Sequence, residues 1–260
     1  MIIAEIISFL DATFHPEYQE DYDNAGFLFG NPQQEICGVM VALDLTPEVI
    51  NEAIAKQCNL IVTHHPFIFG GIKRITTNNI LGRMIFKMAQ EGISVYAAHT
   101  NLDNLKEGVN GILAQKLGLT DCHILKSLNG DPEVGAGMVG MLPKRIETDE
   151  FLRNIKQLLG LGTLRISNPC HSAVQRVAIC GGAGSFLISD AIGAKAEIYL
   201  TGDLKYHDFQ RAENRIILAD IGHYESEQFS KELIYSIISK NFSNFACFIA
   251  AADNGYVRYI

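Results

Sequence analysis

The sequence predicts an α/β protein, a mostly parallel sheet layered between helices, with a second lobe beside the first core. Three observations lead there. Short β-branched runs with no polar interruption, such as Gly38-Val39-Met40-Val41-Ala42-Leu43, read as strands covered on both faces. Stretches with helical spacing alternate with these runs, the βα order of layered folds. The chain has 260 residues, 48% of them apolar, which at about 150 residues per domain amounts to between one and two domains.

In order along the chain, Ile2, Ile3, Ile6, Ile7 and Leu10 form one stripe and predict an N-terminal amphipathic helix. The run 38–43 is the first buried strand. Thr46-Pro47 is an N-cap followed by proline in the first helical turn, so a helix is expected over 47–57. Strands follow at Leu60–Thr63 and Val95–Ala98, with a helix over 80–91 between them and another over 108–118. From 119 to 148 the pattern weakens: Asn129-Gly130-Asp131-Pro132 is turn chemistry and Gly135, Gly137 and Gly140 crowd together, marking a lobe boundary or an edge hairpin. Beyond it, strands are expected at Val177–Cys180, Ile198–Thr201, Ile216–Ala219 and Phe248–Ala251, and helices over 149–159, 186–193, 204–213 and 225–240. The expected division is a first α/β lobe of residues 1–125 plus 222–260, carrying most of the site, and a second of residues 126–221.

Charge and composition exclude several classes. With 21 Lys+Arg against 29 Asp+Glu the net charge is −8, and no basic grouping exceeds a pair such as Lys144-Arg145, so a nucleic-acid surface is not expected. The best apolar run, Phe245 to Ala252, has eight residues, far short of a bilayer span. The N-terminus lacks a positive region and meets Glu5 and Asp11, so it is not read as a signal peptide. Cys37, Cys58, Cys122, Cys170, Cys180 and Cys247 form no C-x-x-C pair and are expected as reduced thiols in a cytoplasmic protein.

Three strands run out into histidine: Leu60-Ile61-Val62-Thr63-His64-His65-Pro66, Val95-Tyr96-Ala97-Ala98-His99-Thr100-Asn101-Leu102-Asp103, and Ile216-Ile217-Leu218-Ala219-Asp220-Ile221-Gly222-His223-Tyr224-Glu225-Ser226-Glu227. Ligands of open parallel sheets bind beyond the carboxyl ends of strands, so these ends are expected to converge on one crevice. Pro66 ends strand pairing and lets both His64 and His65 turn inward. His223 and Glu227, four apart, share a helix face. His64, His65, Asp103, His223 and Glu227 together make a mixed N/O donor set suited to Zn, Fe, Mn or Co, with carboxylates able to bridge two ions. A lone histidine at a strand end is more often a hydrogen-bonding residue than a ligand, and His15, His123 and His171 are read that way.

Five linked segments then carry a resemblance: Tyr22-Asp23-Asn24-Ala25-Gly26-Phe27-Leu28-Phe29-Gly30, Thr63-His64-His65-Pro66, Ala98 to Asp103, Thr201-Gly202-Asp203 with Tyr206-His207, and Gly222 to Glu227. In this order, over the whole chain, they resemble the Nif-three-like dinuclear metal family, whose members are named GTP cyclohydrolase type 2 homologues. The resemblance implies a two-lobed, three-layer α/β/α subunit with the metal site at strand ends between the lobes, and a ring-like homohexamer. It implies His64, His65, Asp103, His223 and Glu227 as ligands of two divalent ions, with Glu227 alone or Glu227 and Asp103 together bridging. At 260 residues the chain is the short form, without the middle insertion of longer members. Where other members carry two consecutive histidines, this chain has Tyr206-His207.

The activity implied is hydrolysis by a metal-activated water, with ring opening of GTP as the favoured case. The alternative is a non-catalytic metal-binding or adaptor protein. His99 and His207 are the candidate catalytic residues, orienting the water or moving its proton, although a purely structural hydrogen bond is an equal reading for each. Asp23 and Asn24 read as turn residues. Gly181-Gly182-Ala183-Gly184-Ser185 is a candidate phosphate cradle, but a tight strand-to-helix turn is the better reading, since it lacks the Lys-Ser/Thr of a P-loop. Expected partners are therefore a small-molecule substrate, a nucleotide among the candidates, and further copies of the chain.

Overall fold

The computed structural model describes residues 1–258. In chain order the elements begin with α1 (Ile3–Phe14), β1 (Gly26–Phe29), β2 (Gly38–Ala42), α2 (Pro47–Ala55), β3 (Leu60–Thr63), α3 (Ile80–Glu91), β4 (Ser94–Ala97) and the single turn α4 (Thr100–Asp103). They continue with α5 (Val109–Lys116), β5 (Thr120–Leu128), β6 (Asp131–Glu147), α6 (Thr148–Leu159), β7 (Arg165–Ile166), β8 (Ala173–Ala183), α7 (Ile188–Gly193), β9 (Ile198–Gly202) and β10 (Ile217–Asp220). The chain closes with α8 (His223–Glu227), α9 (Ser230–Asn241) and β11 (Ala246–Ile249). It forms two compact units, Met1–Leu102 with Ser230–Tyr256, and Asp103–Phe229.

The first unit holds a five-stranded sheet of order β1-β4-β3-β2-β11, in which β4, β3, β2 and β11 are mutually parallel and β1 joins antiparallel at the edge. β2, β3 and β4 are buried along their whole length, which is why their sequences do not alternate. Met40, Ala42, Ile61 and Val95 meet Val49, Ile50 and Ala53 of α2 and Met84, Ile85 and Met88 of α3. On the opposite face α9 packs on β2 and β11, and Tyr96 Oη donates to Asp11 of α1 at 2.9 Å. Each such fully buried Ile or Leu contributes about 1.5–3 kcal/mol by leaving water. The Thr46 cap is formed, its Oγ1 accepting from Val49 N at 3.1 Å with Pro47 behind it.

The second unit holds a six-stranded mixed sheet of order β5-β6-β8-β9-β10-β7. Its centre, β8-β9-β10, is parallel, and the flanking strands pair antiparallel. Successive residues of the parallel strands serve opposite layers: Val177, Ile179, Ile198, Leu200 and Ile217 pack under α5 and α6, while Ala178, Tyr199 and Leu218 pack under α7. The weak region from 119 is the β5–β6 hairpin, turned at Asn129 and Gly130, both with positive φ (52° and 81°).

Two helices differ from expectation, and so do the crossings between units. Residues 204–213 form turns and a short 3-10 helix (Phe209–Ala212), because Asp208 accepts from Lys205 N at 2.8 Å and competes with helix start. The stretch 225–240 is broken between α8 and α9 at Gln228-Phe229, where the chain leaves one unit for the other. α8 packs on β8 and β9, whereas Ile234 and Ile238 of α9 are buried in the first unit, so one continuous stripe does not serve both cores. The crossings therefore sit at Leu102/Asp103 and Phe229/Ser230 rather than near 125 and 221: α5, β5 and α8 all pack on the second sheet.

Candidate metal centre

In the first unit, the parallel arrangement of β2, β3 and β4 sets three strand ends side by side. Beyond them stand Asp44, the pair His64-His65, and His99. The buried His64 donates from Nδ1 to the Ala98 carbonyl at 2.7 Å. His65 Nδ1 lies 2.9 Å from Asp44 Oδ1, and His99 Nδ1 lies 2.7 Å from Asp23 Oδ1. A carbonyl or carboxylate only accepts, so each Nδ1 carries the proton and each Nε2 carries the lone pair that a metal takes. The rings lie 5.0, 5.3 and 5.5 Å apart by their centroids, and their candidate ligand nitrogens fall within 4.8 Å of one another. His99, expected as a proton carrier, thus stands with His64 and His65 as a third possible donor.

Asp23 is the anchor of this group rather than a turn residue alone. Burial pushes its carboxyl up, but bonds from His99, Thr100 and Asn24 outweigh burial and hold it well below the usual carboxylate range. Thr100 supplies two of these, from N at 3.0 Å and Oγ1 at 2.5 Å, and Asn24 N donates at 2.7 Å. The carboxylate, bonded to His99 Nδ1 at 2.7 Å, fixes His99 in one tautomer and one orientation.

In the second unit, α8 starts beyond the end of β10. Gly222, with φ 78°, turns the chain so that His223 opens the helix. His223 Nδ1 contacts Asp203 Oδ2 at 2.8 Å, and its Nε2 lies 3.1 Å from Glu227 Oε2, one turn along. Glu227 is buried, and one of its carboxylate oxygens lies within 4.8 Å of one from Asp103. Two carboxylates this close repel each other unless a cation or proton accompanies them. The chemistry of the donors therefore fits divalent ions: three oriented imidazoles in one unit, and an imidazole with two carboxylates in the other.

The glycine segment after Val177-Ala178-Ile179-Cys180 has a different use from phosphate binding. Gly181 N donates to Asn110 Oδ1, Gly182 N to Ser226 Oγ and Gly184 N to Thr201 Oγ1, all within 3.0 Å, so these amides are spent inside the fold. Gly182 has φ 61°, and a Cβ there would stand 2.2 Å from Glu227 Oε1. The segment is the wall against which Glu227 rests. His207 is exposed, with Nδ1 3.3 Å from Gln210 Oε1 and its ring against Tyr206. His15, His123 and His171 each have a local partner, Glu17, Asp121 and the Arg215 carbonyl.

Sequence reasoning did not single out Asp44 and Asp203, the partners of His65 and His223. Asp44 could have been found by applying to β2 the strand-end argument already applied to its neighbours.

The family model described as Duf34/NIF3 (NGG1p interacting factor 3) matches residues 1–254. A relative from Clostridium perfringens named GTP cyclohydrolase 1 type 2 homolog is 35% identical over 230 residues, 87% of this chain and 87% of its own length. A hypothetical protein from Staphylococcus aureus has the same fold with a TM-score of 0.91 at 28% identity, over 100% of this chain and 99% of that one. Reduced HcgD from Methanocaldococcus jannaschii follows with a TM-score of 0.81 at 27% identity, over 96% and 97% of the two chains.

Proposed function

The chain belongs to the Duf34/NIF3 family, and from that premise we propose that it is a dinuclear metal-dependent hydrolase acting on a small molecule, GTP being the first candidate. The ligands in this reading are His64, His65, Asp103, His223 and Glu227, with Glu227 shared between two divalent ions. The observation that carries it is that the three ligand imidazoles, His64, His65 and His223, each have Nδ1 tied to an acceptor, which supports metal binding through Nε2. The name of the Clostridium perfringens relative supports the choice of GTP.

When bound by these residues, divalent ions would supply a water of lowered pKa and polarisation of the group it attacks. The protein's own residues do the rest. Asp44 and Asp203 hold His65 and His223 in the donor tautomer. His99, with Nδ1 fixed on Asp23, offers Nε2 to take a proton from the attacking water and return it to the leaving nitrogen. With GTP a first water attacks the imidazole carbon of guanine and breaks one C–N bond, opening the ring to a formamide; a second water attacks the same carbon, breaks the remaining C–N bond and releases formate, and His99 passes the proton to the leaving nitrogen each time. His207 is given no step, because its ring is exposed and engaged by Gln210. In this reading the subunits assemble as a homohexamer, and a monomeric mass in light scattering would remove that part.

The test is formate release from GTP by the purified chain loaded in turn with Mn, Fe, Zn or Co, with His64→Ala as the control. Turnover that His64→Ala abolishes supports the hydrolase. Absence of turnover with every metal across a panel of nucleotides would overturn it and favour a metal-binding or adaptor role.

A further inference from the structure

The segment from Pro66 to Asn79 belongs to none of the helices or strands, yet it is anchored at defined points. Phe67 and Ile72 pack against the first core, and Phe67 meets Phe29 edge to face at 6.5 Å. The Ile68 carbonyl accepts from Asn24 Nδ2 at 2.7 Å, so the residue after Asp23 holds this loop while Asp23 holds His99. Between these anchors Phe69 projects outward, 54% exposed, with its ring at 89° to His99 and 5.5 Å from it. A phenylalanine pinned beside a cluster of imidazoles, with half of its surface left to solvent, presents an apolar ring to whatever approaches them.

Charge gives the second half of the argument. The protein carries −8, yet residues 53–90 contain no Asp or Glu and include Lys56, Lys73, Arg74, Arg83 and Lys87. Lys56 pairs with Glu52, Lys87 with Glu91, and Arg83 donates to the Thr77 carbonyl. Lys73 and Arg74, both exposed, make no ion pair among the described residues, and they follow directly on the Ile72 anchor. Four and five residues from Phe69, they stand at most about 13 and 17 Å along an extended chain. Ring and charge are thus separated by a length of chain that suits a ligand with an aromatic end and an anionic end.

We propose that this loop is a substrate-recognition element of the first unit: Phe69 stacks on a planar heterocycle at the imidazole cluster, and Lys73 and Arg74 bind the phosphate groups the same molecule carries. The ligand class is a phosphorylated aromatic heterocycle, a nucleotide rather than a free base or nucleoside. Stacking on an aromatic side chain tolerates any base, so the element selects phosphorylation and planarity, not base identity. Arg74 adds a planar fork that meets phosphate oxygens in pairs, and Lys73 a point charge. The inference rests on the hydrolase reading only for what is done to the ligand, and its test is one of binding.

Calorimetric titration of the full, metal-loaded chain compares GTP, guanosine and inorganic triphosphate, with wild type set against Phe69→Ala, Phe69→Tyr and the double variant Lys73→Ala/Arg74→Ala. All three positions are exposed, and metal content and melting temperature are checked in each. We expect GTP to bind at least tenfold tighter than guanosine. The double variant loses most of that preference and keeps its guanosine affinity, while Phe69→Ala weakens GTP and guanosine by a common factor of about ten and Phe69→Tyr restores both. Equal affinities for GTP and guanosine in wild type, unchanged GTP binding in the double variant, or no binding of any of the three would overturn the proposal. Binding in the expected pattern without formate release would leave the recognition element standing and remove the hydrolase.

Discussion

Four imidazoles, those of His64, His65, His99 and His223, are oriented through Nδ1 by an acceptor: the Ala98 carbonyl, Asp44, Asp23 and Asp203. The repeated arrangement makes the orienting residues as testable as the rings. Asp44→Ala is expected to lower metal affinity 10- to 100-fold with little loss of folding, since it touches one ligand and no core. Competition with a chelator of known affinity measures this, and an unchanged constant would dismiss Asp44 from the centre. Gly182→Ala tests the wall behind Glu227: the positive φ and the 2.2 Å approach to Oε1 predict a loss of about 1–3 kcal/mol in stability together with weakened metal binding. Thermal melting and elemental analysis read the two effects separately, and wild-type values for both would refute the contact. At this scale the imidazoles were legible because histidine is conspicuous after an apolar run. Asp44 and Asp203 were not, because an aspartate one or two residues past a strand looks like any turn residue.

Elements were legible where one physical requirement dominated. β2, β3, β9 and β10 are continuous apolar runs because both faces are covered, and α2 announces itself by a cap and a proline. Reading failed where a segment answers to two cores, as at Gln228-Phe229 between α8 and α9, or where a side chain competes with the helix, as Asp208 does. The half-buried joint between β8 and β9 offers a test with a pH signature. Glu197 accepts from Gln175 N at 2.6 Å and Arg176 N at 2.9 Å and pairs with Arg145; burial raises its carboxyl, but these bonds prevail and hold it below the ordinary glutamate range. A carboxyl depressed in the folded state contributes stability that is fully present above its unfolded pKa, about 4.3, and is lost as pH falls through the folded value. Glu197→Gln is therefore expected to cost about 1–3 kcal/mol at pH 7, with the difference from wild type shrinking below about pH 4. Denaturant titrations at pH 7 and in the acid range check this, and a deficit independent of pH would assign the effect to packing.

For the whole molecule, the charge of −8 and the proposed centre are linked. Two divalent ions add four positive charges, so the loaded chain carries −8 + 4 = −4 if no ligand or water loses a proton, and is more negative by one for each proton lost. Metal removal then has two consequences that do not depend on catalysis. Ions that bind the folded chain alone stabilise it by about 2.7 kcal/mol at a free concentration one hundred times Kd. For a chain of this size that corresponds to a fall of roughly 5–11 °C in Tm on chelation. The stripped protein should also migrate faster towards the anode in native electrophoresis, and both changes should reverse when Mn, Fe, Zn or Co is restored. In Glu227→Ala, which lacks the carboxylate assigned to both ions, chelation should move neither Tm nor mobility by more than a fraction of the wild-type shift. Wild-type behaviour in that variant would place the stabilising ions elsewhere on the chain, and the absence of any shift in wild type would mean that closely spaced Asp103 and Glu227 are accommodated by a proton rather than a metal.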